Sequence, residues 1–352
     1  MKNNKKVVVG FSGGVDSATV VKILKEKGYE PVAVFLKMFP GKNLDEIRAL
    51  AGKLGVELIV KDISNIFSGC IIKDFLDEYQ NNRTPNPCVK CNFEIKFKTL
   101  LEVADELRIE KVATGHYAQI RACSESLNDG IFKLFKGQDQ KKDQSYFLYR
   151  LTQKELARII FPLGEKQKEN IKKEALENKW FDEIKESQNV CFLAEEEKVQ
   201  DFLKKNLNTS ENKPGDIENE KGEVLGKHQG LACYTQGQRK GLDLSGGPLY
   251  VIGKDLVRNI LLISENKEHP ALMNKEIYLE QVNWISGEPE EEKIYQCKSR
   301  YRIQSSLGKI VKEKDNWRII LENPQWAVAE GQSMVVYKKD EVMGGGIIKK
   351  VQ

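Results

Sequence analysis

The stretch that decides the fold is Val7-Val8-Val9-Gly10-Phe11-Ser12-Gly13-Gly14-Val15-Asp16-Ser17. Three β-branched valines run into Gly10, and an apolar period carried by Val20, Val21 and Leu24 follows Ser17. The valine run predicts a buried strand and the period predicts a helix. Strand, glycine turn and helix N-terminus together make an anion site. Glycines let the backbone approach a ligand, amide N–H groups point at it, and the helix dipole favours negative charge. Ser12 and Ser17 add hydroxyl donors, and Asp16 is placed to position a Mg²⁺ on bound phosphates. The loop carries neither G-x-x-x-x-G-K-[ST] nor G-x-G-x-x-G, which argues against Walker-type γ-phosphate chemistry and against a dinucleotide.

Outward from this loop, strands and helices alternate to about residue 202. Apolar runs at 31–36, 56–63 and 111–117 predict strands, and helical periodicity marks 44–54, 71–79, 93–107, 153–160 and 166–177. Alternation of this kind implies a doubly wound parallel sheet, with ligands beyond the carboxyl ends of the strands, where Gly10–Ser17 falls. Residues 206–223 are polar and turn-rich, with Pro214-Gly215-Asp216 and Lys221-Gly222, and mark a boundary. Short strands with many glycines follow. Beyond them come strand-sized runs at 277–282, 294–302, 317–321, 333–337 and 346–351. Evenly spaced short strands predict a small β-barrel. The expected fold is therefore α/β: an N-terminal doubly wound domain (1–205), a central β-rich domain (206–272) and a C-terminal β-barrel (273–352).

The 352-residue length suits two or three domains. A net charge of +4 permits nucleic-acid binding through a local patch without requiring it. No run reaches the roughly 18 apolar residues of a membrane span, and the basic start leads into a strand too short for a signal peptide. A cytoplasmic protein with no membrane partner is expected. Seven thinly spread cysteines make a disulfide framework unexpected in such a chain.

Cys88 and Cys91 stand close together in Arg83-Thr84-Pro85-Asn86-Pro87-Cys88-Val89-Lys90-Cys91-Asn92. Two prolines predict a rigid loop, and Asn92 is placed to cap a helix from Phe93. A cysteine there feels the positive helix end, with Lys90 and Lys96 near, and both effects lower a thiol pKa. A structural zinc site would need four ligands and has no second C-x-x-C, and the setting is not a core strand. Nucleophilic or sulfur chemistry is the expected use. Cys191, in Val190-Cys191-Phe192, is the candidate partner, while Cys70, Cys123, Cys233 and Cys297 have no reactive context.

The hexapeptide Ser12–Ser17 resembles the PP-loop of the ATP pyrophosphatases, which split ATP into AMP and pyrophosphate while adenylating a substrate oxygen. The segment from Thr84 to Phe97, Thr-Pro-Asn-Pro-x-x-x-Cys-Asn-x-x-Ile-Lys-Phe, resembles a second signature, that of the tRNA-specific 2-thiouridylases of the MnmA type. Further matches are Ala113-Thr114-Gly115-His116-Tyr117, Lys142-Asp143-Gln144-Ser145-Tyr146-Phe147, Phe161-Pro162-Leu163-Gly164 and Ser187-Gln188 with Cys191-Phe192. Later ones are Tyr234-Thr235-x-Gly237-Gln238-Arg239-Lys240-Gly241-Leu242, Arg300-Tyr301-Arg302 and Ala327 to Gln332. They run the length of the chain in one order.

The resemblance implies that Gly10, Phe11, Ser12, Gly13, Gly14, Val15, Asp16 and Ser17 bind ATP, with Leu36 and Gly115 against the nucleotide. It implies Cys91 as nucleophile and Cys191 as carrier of a persulfide, the two joining in a transient disulfide. Asn86, Pro87 and Cys88 would face the target base, and His116, Lys142, Asp143, Gln144, Arg300, Tyr301 and Gln332 would contact tRNA. The implied reaction is ATP-dependent 2-thiolation of the wobble uridine, with sulfur from a donor protein, a cysteine desulfurase or sulfur carrier. Family members commonly have Asp where this chain has Cys88. Cys88, Cys91 and Cys191 could together hold a [4Fe–4S] cluster that carries the sulfur instead. A PP-loop ligase, for which the cysteine pair is unnecessary, and a non-catalytic RNA-binding protein with a metal-stabilised loop are the other readings.

Overall fold

The computed structural model describes residues 5–41, 43–123, 130–181, 190–193, 197–207, 212–314 and 316–352. The chain runs β1 (Lys6–Gly10), α1 (Val15–Glu26), β2 (Glu30–Lys37), α2 (Leu44–Lys53), β3 (Glu57–Asp62), α3 (64–80), α4 (87–106) and β4 (Lys111–Ala113). A hairpin, β5 (Ala118–Ala122) and β6 (Phe132–Lys136), precedes α5 (Gln153–Leu156), β7 (Ile159–Ile160), α6 (Lys168–Glu177) and α7 (Val199–Asn206).

The first sheet is parallel, in the order β3-β2-β1-β4-β7. The period-2 alternation of β1 distributes its valines to two cores. Val7 and Val9 pack with Val20, Val21 and Leu24 of α1 and Ile47 of α2; Val8 packs with Phe97, Leu100 and Val103 of α4 on the opposite face. All three valines are fully buried, each contributing about 1.5–3 kcal/mol of hydrophobic stabilisation. Because β2 and β4 flank β1 on opposite sides, the chain reverses direction there and opens a crevice at the strand ends.

The central unit is a four-stranded sheet, β10 (Tyr250–Asp255), β11 (Ile260–Ser264), β8 (Gly215–Glu218) and β9 (Val224–His228) in spatial order. The C-terminal strands are β12 (Met273–Trp284), β13 (Ile294–Lys298), β14 (Ser306–Glu313), β15 (Asn316–Trp326), β16 (Ser333–Lys338) and β17 (Glu341–Val351). They pair as β12-β15-β14-β13-β16-β17, and β17 pairs back onto β12, which closes the barrel. Closure leaves no edge among these six strands. The β5–β6 hairpin extends this sheet through Leu134 opposite Val342. No described helix is long and apolar enough to cross a membrane.

Four expectations are corrected. The helix expected at 93–107 begins at Pro87, and its cap is Asn86, whose side chain accepts from Val89 N at 3.4 Å. Pro at the first helical position has the backbone angle a helix needs and lacks only an N–H that would go unpaired there. Asn92 lies inside the helix and is buried. The helix expected at 153–160 stops at Leu156, and Ile159–Ile160 instead joins the parallel sheet beside β4. The strand expected at 111–117 ends at Ala113, so Thr114-Gly115-His116 forms a turn over the strand ends. The β5–β6 hairpin and β14 were not foreseen.

Candidate active site

A cavity of about 550 Å³ lies at the carboxyl ends of β1, β2 and β4. At one end is the glycine loop. Gly14 occupies the N-cap of α1, Ser17 Oγ donates to Gly14 O at 2.8 Å, and Gly13 has φ +75°. A Cβ on Gly13 would stand 2.9 Å from Ile47 Cγ1, so both conformation and space demand glycine. Gly10, Phe11, Ser12, Asp16 and Ser17 border the cavity, while Gly13, Gly14 and Val15 shape the turn behind them. Leu36, at the end of β2, and Gly115 line the same space.

At the other end, α4 presents two thiols. Cys88 and Cys91 border the cavity, and so does Cys191, although it is 100 residues further along the chain. Phe192 anchors that segment. Its ring lies 6.0 Å from Phe67, 5.3 Å from Phe75 and 5.6 Å from Phe202. Edge and tilted aromatic contacts of this kind hold a short irregular segment against two helices.

The electrostatics reverse one expectation. Burial pushes the Cys91 thiol up to about 12, with Lys96 pulling weakly the other way. Burial likewise pushes Cys88 to about 11. Cys88 is reachable from the cavity mouth yet walled by protein on its other sides, so an exposed thiol is still desolvated. Desolvation outweighs the helix N-terminus and the nearby ammonium. Lys90 does not assist, because it pairs with Asp74. His116 is neutral, its pKa depressed well below 6.5 by burial and then by Lys96. It borders the cavity with Nδ1 2.8 Å from Thr114 Oγ1.

Asp16 is not free to ligate a cation. Lys168 Nζ donates to both of its carboxylate oxygens at 2.7 Å, and Tyr117 OH donates to one at 2.8 Å. Among the described residues, no three His, Cys, Asp or Glu side chains are arranged to hold one metal ion. Neither a Mg²⁺ on Asp16 nor a cluster on Cys88, Cys91 and Cys191 fits this arrangement of the described residues.

The residues expected to meet tRNA divide. Pro87, Cys88, His116 and Gln144 line the cavity; Asn86, Lys142, Asp143, Arg300, Tyr301 and Gln332 lie outside it. Asp143 is buried and accepts from Gly137 N, Ser145 N and Ser145 Oγ at 3.0–3.1 Å. Arg300 donates to Ala327 O at 2.7 Å. The Tyr301 ring packs 4.6 Å from Phe147, next to the cavity wall. Gln332 Nε2 donates to Thr84 O and Pro85 O at 2.8 and 2.9 Å, tying the barrel to the loop that leads into α4. Ser187 and Gln188 lie outside the described residues. The Lys168–Asp16 pair, spanning 152 positions, had no local signal beyond the Phe161-Pro162-Leu163-Gly164 match just before it.

Residues 5–195 match the family described as tRNA methyl transferase HUP domain, residues 200–265 its PRC-barrel domain, and residues 274–348 the aminomethyltransferase β-barrel domain. The tRNA-specific 2-thiouridylase MnmA of Methylobacillus flagellatus is 40% identical, with 98% of each chain covered. The chain belongs to the MnmA family. A further member, the tRNA-specific 2-thiouridylase MnmA of Nitrosomonas eutropha, is 39% identical over 98% of this chain and 99% of its own. Within the family frame, the cavity unites the two motifs that are furthest apart in chemistry, the phosphate loop and the cysteines.

Proposed function

We propose that this chain is a tRNA sulfurtransferase that uses ATP to replace the C2 oxygen of the wobble uridine by sulfur. The observation that carries it is one cavity bordered by a phosphate-type glycine loop at one end and by Cys88, Cys91 and Cys191 at the other. A small-acid ligase needs the first end only, and a non-catalytic RNA binder needs neither.

Uridine C2 is a poor electrophile whose oxygen leaves badly. In the proposed sequence, that oxygen attacks the α-phosphate of ATP, and pyrophosphate departs into the amides of Gly10–Ser17 with the electron pair of the broken P–O bond. Cys191, exposed at the cavity edge, receives sulfur as a persulfide from a donor protein. Its terminal sulfur attacks C2, the C2–O bond breaks, and AMP leaves. Cys91 then attacks the Cys191 sulfur; the S–S bond breaks toward the uridine, whose N3 takes up the Cys91 proton, and a Cys91–Cys191 disulfide remains for an external reductant to open. A protonated, buried Cys91 suits this order, because it does not attack the persulfide before the base is in place. Tyr301 beside Phe147, with Lys298 Nζ 5.7 Å from the Tyr301 ring, supplies a partly open aromatic surface with a cation for RNA.

Incubation of Cys91→Ser and Cys191→Ser variants with ATP, a persulfide donor and unmodified tRNA tests the assignment. Each is expected to form no 2-thiouridine in digested tRNA, and full thiolation by either refutes its role.

A further inference from the structure

Along one face of α4, Cys88, Cys91, Asn92, Lys96 and Leu100 all border the cavity. Lying three, four, eight and twelve positions after Cys88, the others form a single stripe with it, and the wide turn over Cys91–Lys96 keeps the fifth residue after Cys91 on that side. The two ends of the stripe meet different halves of the site. The sulfur end meets Cys191. At the other end, Leu100 Cδ1 lies 3.0 Å from where a Cβ on Gly10 would stand, against the entry to the phosphate loop. Lys96 stands between them, about 7 Å along the helix axis from Cys91 and about 6 Å from Leu100.

Among the described residues, Lys96 is the only Lys or Arg bordering the cavity. No described carboxylate pairs with it, in contrast to Lys90 with Asp74 and Lys168 with Asp16. Its Nζ donates instead to Asn92 Oδ1 at 2.7 Å, and Asn92 Nδ2 donates across to Phe147 O at 3.2 Å. A neutral amide braced from the facing wall thus aims the ammonium without cancelling its charge.

We infer that Lys96 is a catalytic residue of the adenylation step, its ammonium binding the α-phosphate of ATP and then the phosphate of the departing AMP. The inference rests on the function proposed above. With the loop amides on the β- and γ-phosphates and Asp16 already neutralised, Lys96 is, among the described residues that border the cavity, the cation available to the α-phosphate. When uridine O2 bonds to the α-phosphorus and the bond to pyrophosphate breaks, charge gathers on the α-phosphate oxygens. When C2–O2 breaks, AMP takes the electron pair and the same oxygens hold the charge. A cation already held in place stabilises both states with little reorganisation.

The test is single-turnover formation of AMP from ATP, unmodified tRNA and a persulfide donor by wild type, Lys96→Met and Lys96→Arg, repeated with the two diastereomers of ATPαS. Lys96→Met is expected to slow AMP formation by about 10²–10³-fold, the usual effect of removing one aimed donor, and Lys96→Arg to recover at least tenfold of that. Wild type should prefer one diastereomer and Lys96→Met should lose the preference. A merely structural loss would slow both diastereomers equally. Lys96→Gln, which keeps the bond to Asn92, replaces Lys96→Met should the latter not fold. AMP formation by the variant within threefold of wild type, or a slowed variant with an unchanged diastereomer ratio, overturns the inference. Wild type that forms no AMP with tRNA and the persulfide donor overturns the proposed function itself and this inference with it.

Discussion

Ionisation of Cys91 offers a test that needs no substrate. Its pKa of about 12 against an ordinary 9.0 means that, at pH 8, roughly one thiol in 10⁴ is a thiolate, where an unfolded chain would have about one in ten. That difference corresponds to about 4 kcal/mol between the two protonation states. Because the thiolate is the nucleophile, alkylation of Cys91 by iodoacetamide at pH 8 should be about 10³-fold slower than in urea-unfolded protein. Cys88, at about 11, should be slower by about 10². Restricted access also slows alkylation, but it scales the rate by a constant at every pH. The diagnostic is therefore the profile: the Cys91 rate, read by mass spectrometry of the labelled peptide, should rise tenfold per pH unit to beyond pH 10. A plateau at or below pH 9 would mean that Lys96 and the helix N-terminus outweigh burial, and would refute the electrostatic account.

Lys168→Met removes the cation that faces Asp16 and should lower stability in urea by about 2–3 kcal/mol, less than a fully buried pair because the carboxylate is partly open. Adding Asp16→Asn should recover at least half of that loss, and no recovery would show that charge is not the issue. Gly115→Ala puts a Cβ 3.0 Å from Asp16 Cβ and 3.5 Å from Ser17 N, so it should raise the KM for ATP about tenfold with about 1 kcal/mol of lost stability; an unchanged KM contradicts the placement. Gln332→Ala strands the Thr84 and Pro85 carbonyls, and should cost about 1–2 kcal/mol and reduce kcat for thiolation while sparing the KM for ATP. A rise in that KM would place Gln332 nearer the nucleotide than the structure does.

What was legible in the sequence was local. The valine run, glycine turn and helix of residues 7–26 are set by neighbouring residues, and they appear as read. The start of α4 was misplaced because two asparagines compete as caps. Pro87, at the first helical position, is the signal for the earlier one. The β5–β6 hairpin escaped because its sheet partner, Val342, is about two hundred residues away. Ile159–Ile160 is too short to declare itself a strand, and tertiary pairing with Val112 and Ala113 overrides its helical surroundings. That Cys88, Cys91 and Cys191 belong together is legible in the sequence, but the direction in which Cys88 and Cys91 titrate is not, because charge and helix position are visible in sequence and desolvation is not. The pairing of Asp16 is hidden in the same way, because its partner Lys168 is remote in the chain.

The central claim is that one cavity both activates an RNA base with ATP and delivers sulfur to it. The most direct measurement follows wild-type protein with unmodified tRNA, ATP and a persulfide donor, and quantifies nucleotide products and 2-thiouridine in the same sample. One AMP and one pyrophosphate per 2-thiouridine, with no AMP when tRNA is omitted, is the expected result. Thiolation without AMP, or hydrolysis to ADP and phosphate with no 2-thiouridine formed, would contradict it.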